Sequence, residues 1–585
     1  MRPTDGIGRH RSRANGINSC RGPSIHVGGR IRSHNTESQI RILLSTKPRE
    51  AATCTNLAGI KEIQTLTQQA TQTLDGLIPS LAKEPTTPLS DYVPGVEQAY
   101  WRLKNGIGRS PDILLRKIRV PACPQGPVLI ACVDGLSDSQ MVDQDIIAPL
   151  LTTTADPKTW DETTLTPVHV SKGTQWSQIT ADLATGNTLI ITPDLPYCWI
   201  VDTVKIPQRT IERPQTELTV RGPEEAFNEI LLTQMNQLRR RFLDNALQFH
   251  PITIGRVQHT KVVVTYIEGI TNPELVKTAI DRLSRIAIDG YANSTLISGL
   301  IRDHPHSIFP TIRATERVDV AVWQLNEGKI VMLVDGDPFV LIAPAPLSEF
   351  YRTAMDYTGP WYDATFVRLI RLAGWGLGIY LPAIYIAVTE VDPSLVPSAL
   401  LIIILGDHAG LPFPPIVEVS LMIFVVEILR EAALRLPKIL GTTIGTVGAI
   451  VVGTAVVKAG LVSPQIIVLM TLTALSFFSA PVYELTGTWR LMGFVMLAAA
   501  FLLGMLGIIV ASVAMIAELT TMSSFGVPYL TPWTPFRWKD WKDHMVRMDW
   551  TLFKTRPVVS RSLKPGMRSP SKPPSSPHLY QRQRE

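Results

Sequence analysis

The sequence predicts a two-part protein: an α/β N-terminal region in two subdomains, followed by an α-helical transmembrane domain. Three observations predict it. The chain has 585 residues, of which 45% are hydrophobic and only 18% charged, whereas soluble proteins carry about a quarter charged residues. The apolar excess is also uneven. Up to about residue 370 charge is mixed and apolar runs are short, while from there to about 520 Leu, Ile, Val, Ala and Gly dominate. Within the first part, short β-type runs alternate with helical ones, which is the α/β pattern.

Taken in order, residues 1–89 are polar and irregular and read as a variable, largely disordered extension ending in the linker-like "AKEPTTPLSDYVPG". No signal peptide is expected, because the first residues lack an apolar core. Subdomain one, 90–210, holds "GPVLIACVDGLSD", a buried strand ending in a turn, and "NTLIITPDLPYCWIVDTVKI", two strands about a proline-bearing turn. Subdomain two, 211–348, places a helix start at Pro223 and Glu224, with Arg239 to Arg241 near the helix end. It continues with the strand "TKVVVTYIEG", the amphipathic helix "PELVKTAIDRLSRIAI", and a hairpin "KIVMLVDGDPFVLIAP" turning at Asp335-Gly336. No internal repeat is legible. The Asp-Gly pairs at Asp134 and Asp335 read as turn formers, and Asp303, His304 and His306 as a polar loop with no second ligand cluster nearby.

After a linker at 349–371, residues 372–530 read as the transmembrane domain. A crossing needs roughly twenty apolar residues. Spans are expected at 372–388 (with Pro382 inside), 439–462, 464–482 and 491–517. Residues 396–405 are too short to cross, and 416–436 carries Glu418, Glu427, Arg430, Glu431 and Arg435. Residues 396–436 are therefore expected to form one re-entrant or interfacial element, joined by "GDHAGLPFPPIVE", in which Asp407 and His408 mark the tip of a turn. Arg368 and Arg371 before the first span, the acidic "TEVDPSL" after it, and the basic tail at 531–585 place both ends in the cytoplasm.

Residues 1–50 hold ten Arg or Lys against three acids; beside a membrane domain such a segment reports topology and anionic lipid rather than nucleic acid. All five cysteines lie in the soluble part with no CxxC, which fits reduced thiols. There is no phosphate loop, dinucleotide fingerprint, HExxH or nucleophile elbow. No catalytic, cofactor or metal residue is therefore assigned, and an enzyme is not expected. The candidates lie in the membrane part. Glu427, Glu431 and Arg435 fall at i, i+4 and i+8, with Arg430 three residues from Glu427. Such a stripe either faces protein interior or a water path, or lies at the interface with its charges in water. Lys458 either snorkels or takes part in a site. Gly441, Gly445, Gly448 and Gly453 offer a small-residue face for helix packing.

The ordered segments "TELTVRGPEEAFNEILLTQMNQLRRR", "TERVDVAVWQLNEGKIVMLVDGDPFVLIAPA", "LPAIYIAV", "LPFPPIVEVSLMIFVVEILREAALRLP", "AGLVSP", "SFGVPYLTP" and "DWKDHMVRMDWTLFKTRP" closely resemble the A subunit of bacterial spore germination receptors, the GerA family. The resemblance runs from about residue 90 to about 557. It implies a multi-pass protein of the spore inner membrane that works with a transporter-like, nutrient-binding B subunit and a lipoprotein C subunit. It also implies homo-oligomers through the A subunit and release of monovalent cations once germinant binds. On that reading Glu418, Glu427 and Glu431 line or gate a cation path, and Arg430 and Arg435 hold it closed. A secondary transporter and a non-conducting receptor scaffold are the alternatives. The sequence departs from the family pattern at Val318, at Met522 and Ser523, and in "DYTGPWY".

Overall fold

A computed structural model describes residues 93–566 apart from 94, 107–108, 168, 194, 206–212, 243–245, 291, 409, 436–454, 480–481 and 550–551. The extension 1–89, the end of the basic tail and the glycines Gly441, Gly445, Gly448 and Gly453 lie outside the described residues, as does the side chain of Arg435.

Ten short strands make two antiparallel sheets. The first contains β1 (Ile113–Ile118), β2 (Val128–Val133), β3 (Val170–Gly173), β4 (Thr188–Ile191) and β5 (Cys198–Val201), in the order β1-β2-β4-β5-β3. The second contains β6 (Leu247–Ile254), β7 (Thr260–Ile267), β8 (Arg313–Thr315), β9 (Ile330–Val334) and β10 (Val340–Ala343), in the order β6-β7-β9-β10-β8. The two orders are the same permutation. Helix α1 (Val96–Asn105) precedes β1 and α2 (Trp176–Thr185) lies between β3 and β4; α3 (Leu231–Arg241) precedes β6, and α6 (Val318–Asn326) lies between β8 and β9. The helices between β2 and β3 match α4 (Pro273–Ser284) and α5 (Ser294–Ile301) between β7 and β8. The molecule therefore carries a structural duplication that the sequence conceals.

Both faces of each sheet are covered, which explains the continuous apolar strands. Leu129, Ala131 and Val133 of β2 pack under α1 and α2, while Val128 and Ile130 face Ile146, Leu150 and Trp160. In the second sheet, Ile330, Met332 and Val334 meet α4 and α5, while Val331 and Leu333 meet α3 and α6. Alternation thus decides which core a residue joins, not whether it is buried. The Asp335-Gly336 turn joins β9 to β10, with Gly336 at φ 84°, as the hairpin reading expects. The helix expected from Pro223 begins only at Leu231. The preceding stretch stays extended because Arg317 donates to the carbonyls of Glu217 and Pro223, and Phe227 N–H donates to Glu316 O.

The described residues of the apolar region are largely helical. Its helices are α7 (Trp361–Ile386, continued by a wider turn, Ala387–Val391), α8 (Ser398–His408), α9 (Pro415–Arg435), α10 (Pro464–Phe478) and α11 (Tyr483–Thr521). Helix α7 starts well before the apolar run at 372, and its first turns carry Arg368 and Arg371 on its buried face with Trp375, Ile379, Ala383 and Ile386. A straight helix of the length of α11 would reach roughly 58 Å. Instead the chain reverses at Gly504 (φ 59°, ψ −141°). Ser512 Oγ lies 4.0 Å from Met496 Sδ, and Thr488 and Glu518 bond the adjacent residues Ile308 and Ser307. The run expected as one span at 491–517 is thus parts of two antiparallel arms. A β-carbon at Gly504 would fall 2.1 Å from Asp392 Oδ2, and that carboxylate accepts from Met505 N–H at 2.8 Å.

Residues 396–436 hold two helices, joined through the "GDHAGLPFPPIVE" stretch. Helix α8 is short, while α9 lies lengthwise beside α10, its start beside Glu390 at the end of α7 and its middle beside Gly378. Helices α7 and α10 approach closely where Gly374 and Gly378 face Ser479 and Phe477; a β-carbon at either would meet those side chains at 2.7 and 3.1 Å.

Candidate functional site

Three polar clusters sit in or against the helical region. The first is built by "GDHAGLPFPPIVE". The prolines of this stretch end α8 and start α9, so His408 on one helix faces Glu418 on the other. Tyr385 Oη lies 2.9 Å from His408 Nε2, and His408 Nδ1 lies 3.0 Å from Glu418 Oε1. Glu418 is fully buried, and its Oε2 accepts from Ser463 N–H, the cap of α10, at 2.8 Å. Asp407 accepts from Gln465 at 2.5 Å, and Glu390 from Ile416 N–H at 2.7 Å. Both oxygens of the buried Glu418 carboxylate are thus in polar contact, one with the Ser463 N–H and one with the His408 ring. Glu418 clamps the ends of α7, α8, α9 and α10 together.

The second cluster is different. Glu427 Oε2 accepts from Arg490 Nη1 of α11 at 2.9 Å, and its Oε1 lies 3.4 Å from Arg430 Nη1. These three charges line a cavity of about 40 Å³ together with Gly378, Pro382, Thr473 and Phe477. The partner across helices is Arg490, which sequence spacing did not single out because it lies 63 residues from Glu427. The other candidates are not brought to this cavity. Glu431 and Lys458 are exposed, and Glu418 belongs to the first cluster.

The third cluster lies where subdomain two, α7 and the chain after α11 meet. Arg368 donates to Asp356 Oδ2 at 2.8 Å and to Asp543 Oδ1 at 2.9 Å, and Arg371 pairs with Asp356 Oδ1 at 3.3 Å. Arg547 donates to the Asp356 and Gly359 carbonyls. Next to these, Arg352 reaches Glu349 at 3.1 Å, Glu327 at 3.4 Å and the Asp543 carbonyl at 3.1 Å. Lys329 pairs with Glu349 at 2.7 Å and with Glu327 at 3.3 Å. All these charges are buried. Burial alone would raise the Asp356 and Glu349 carboxyls. The arginines beside Asp356, and Arg352 with Lys329 beside Glu349, overcome that and hold both below the ordinary carboxylate range. Burial prevails at Glu327 and pushes it up. His544, buried and facing Arg352 and Arg368, is pushed down to about 3 and stays neutral.

In the sequence, the signal for this junction was Arg368 and Arg371 at i, i+3, which served only as a topology marker. Asp543, the distant partner of Arg368, lies 175 residues away. Asp303, in the histidine-bearing loop, is committed to Arg282, Ser523 and Gly526, which fastens subdomain two to the chain leaving α11. Among the described residues no group of His, Cys, Asp and Glu is placed to hold a metal ion.

Comparison with known proteins decides the family. Residues 101–559 match the family described as Bacillus/Clostridium GerA spore germination protein. This chain belongs to the GerA family. Spore germination protein KA of Bacillus subtilis (strain 168) is 33% identical over 459 residues, covering 78% of this chain and 84% of that protein. Spore germination protein GerLA of Bacillus cereus is 33% identical over 461 residues, covering 78% and 93%. The solved N-terminal domain of the A subunit of the Bacillus megaterium germinant receptor GerK3 is 27% identical, with a TM-score of 0.32, covering 44% of this chain and 97% of that one. The buried junction and the Glu427 cavity both lie within the matched span.

Proposed function

We propose that this GerA-family chain is the A subunit of a nutrient germinant receptor in the spore inner membrane, turning germinant binding into cation release. Family membership supports the germination role, and the Glu427 cavity carries the mechanistic reading. A carboxylate on a cavity among apolar helices is costly unless it is paired or wetted. Here Arg490 on α11 neutralises it from one side and Arg430 from the other. The cavity, about 40 Å³, has room for about one water. In this reading the arrangement is closed, because Arg430 and Arg490 both occupy the Glu427 carboxylate that a passing cation would need. Moving α11 relative to α9 withdraws Arg490 and leaves a carboxylate that attracts a monovalent cation.

The junction supplies the lever. Arg368 and Arg371 near the start of α7 are fixed by Asp356 of the preceding linker and Arg368 also by Asp543 beyond α11, while Arg352 joins Asp543 to Glu327 of subdomain two, so displacement of subdomain two moves α7 and α11 together. Both start and finish of this bundle contact the same α/β region, through α7 and through the second arm of α11, which supports N- and C-termini on one side, the cytoplasm. Helix α9 matches a crossing in length, about 32 Å for its residues. The transporter-like B subunit and the lipoprotein C subunit would bind nutrient and complete the complex, with homo-oligomers of this chain forming the conducting assembly. Fully satisfied Glu418 does not serve the path in this reading; it holds the helix ends.

Conductance across a bilayer holding the purified chain, with its oligomeric state measured in the same detergent, tests the proposal. Cation-selective conductance from an oligomer supports it. A silent oligomer makes the chain a scaffold whose partner permeates.

A further inference from the structure

The chain leaving α11 carries a feature that neither the cavity nor the junction uses. Between Thr531 and Met548 the sequence is "TPWTPFRWKDWKDHMVRM", dense in aromatic and basic residues. Its base is fixed. Asp543 and Arg547 are buried in the junction, Arg547 and Thr365 of α7 exchange hydrogen bonds at 3.1 Å, and Asp540 accepts from Val558 N–H at 3.0 Å. Its tip is not covered. Trp538 is 75% exposed, Phe536 62% and Trp533 39%, on a turn closed by Trp533 N–H to the Leu530 carbonyl and Arg537 N–H to the Pro532 carbonyl. Three large aromatic rings held out on a structured turn are a binding surface, not a folding remnant.

Charge is sorted on the same turn. Its two acids, Asp540 and Asp543, are buried, while Lys539 is exposed and Arg537 and Lys542 are partly so. The outward face is therefore aromatic and cationic. The turn is tied to the first two turns of α7, where Trp361, Tyr362 and Phe366 are also exposed. Aromatic rings prefer the headgroup level of a bilayer, and Lys and Arg beside a membrane helix attract anionic lipid.

We propose that this turn is an interfacial anchor that seats Trp533, Phe536 and Trp538 among the anionic headgroups of the leaflet facing the α/β region. The proposal rests on the membrane reading of α7 and α11. Seated there, the turn fixes Asp543 at a set depth, and with it the Arg368 end of α7. Lipid charge then sets the position of the junction.

The test uses the full chain reconstituted in vesicles, with its native cysteines replaced and one fluorescent label at Trp538→Cys or, separately, at Leu502→Cys near the reversal of α11. Vesicles are of phosphatidylcholine with or without phosphatidylglycerol, and quenchers are headgroup-level and acyl-chain spin-labelled lipid and aqueous iodide. The anchor predicts lipid quenching and iodide protection at 538, stronger with phosphatidylglycerol. With Arg537, Lys539 and Lys542 all changed to Gln, most of that dependence on phosphatidylglycerol is lost. A label at 538 quenched by iodide in both lipids overturns the anchor. So does a label shielded from iodide yet untouched by lipid quencher, which marks a contact with a second protein surface. The 502 label keeps the two readings apart: quenching by acyl-chain spin label there upholds the membrane reading whatever 538 reports.

Discussion

The two α/β subdomains share one strand order and differ in where they place charge. In the first, the central strands bury apolar side chains on both faces, and ion pairs such as Lys117–Glu97 lie at the surface. In the second, the same framework carries Glu327 and Lys329 just before β9, and Glu349 and Arg352 after β10, all buried, with Arg352 reaching Asp543 of the chain after α11. A buried ion pair adds little stability over an apolar pair of like size, but breaking one is costly. Retaining a chain of them at one end of one copy points to a demand for a fixed, polar joint rather than for stability. The first copy serves as a rigid neighbour, the second as the connection to the helices.

The largest effect should come from Asp356→Asn. It leaves Arg371 buried without its carboxylate partner and Arg368 with Asp543 alone, and the detergent-solubilised chain should lose about 3–5 kcal/mol in denaturant unfolding. A loss below about 1 kcal/mol would make the junction incidental. Next is Asp112→Asn. Asp112 forms a two-pronged pair with fully buried Arg239, at 2.9 and 3.0 Å, and joins the first sheet to α3 of the second subdomain. About 3 kcal/mol should be lost here, read as separate unfolding transitions for the two subdomains against a single expected transition in the wild type.

His544 gives a smaller, pH-dependent effect. Its folded pKa is pushed down to about 3 by burial and by Arg352 and Arg368, against about 6.5 unfolded. As pH falls below about 6.5 the unfolded chain takes up a proton that the folded chain refuses, so stability is lost on the acid side. Asp356 and Glu349 add their own acid loss only below about pH 4. His544→Phe, replacing a ring whose nitrogens have no hydrogen-bond partner, should flatten the thermal-stability profile between about pH 6.5 and 4.5. An unchanged slope would remove His544 as its source. The smallest effect belongs to the first sheet. Glu97→Gln breaks an exposed pair with Lys117 and should leave the unfolding midpoint within error.

Much of the α/β fold was legible. The apolar runs at 128–133, 188–191, 260–267 and 330–334 are strands because length and flanking turns fixed them as such. The duplication was hidden because the copies share an order of elements without a repeat legible in the sequence. The helix expected from Pro223 failed because Arg317, 94 residues away, claims the carbonyl oxygens a helix would need. The reversal of α11 was illegible for the opposite reason. Gly504 sits in an unbroken apolar run, and the Asp392 that caps the turn lies 113 residues before Met505. Of the candidate site, Glu427 and Arg430 were named from spacing, but Glu418 is a clamp, and the partner that completes the cavity, Arg490, shares no local pattern with them.

The most direct test is germinant-triggered cation flux from vesicles holding the complete receptor, with wild-type chain or Glu427→Gln. Removing this carboxylate leaves Arg430 and Arg490 uncompensated at the cavity, so flux should fall while assembly with the partner subunits stays normal. Unchanged flux with normal assembly would contradict the account.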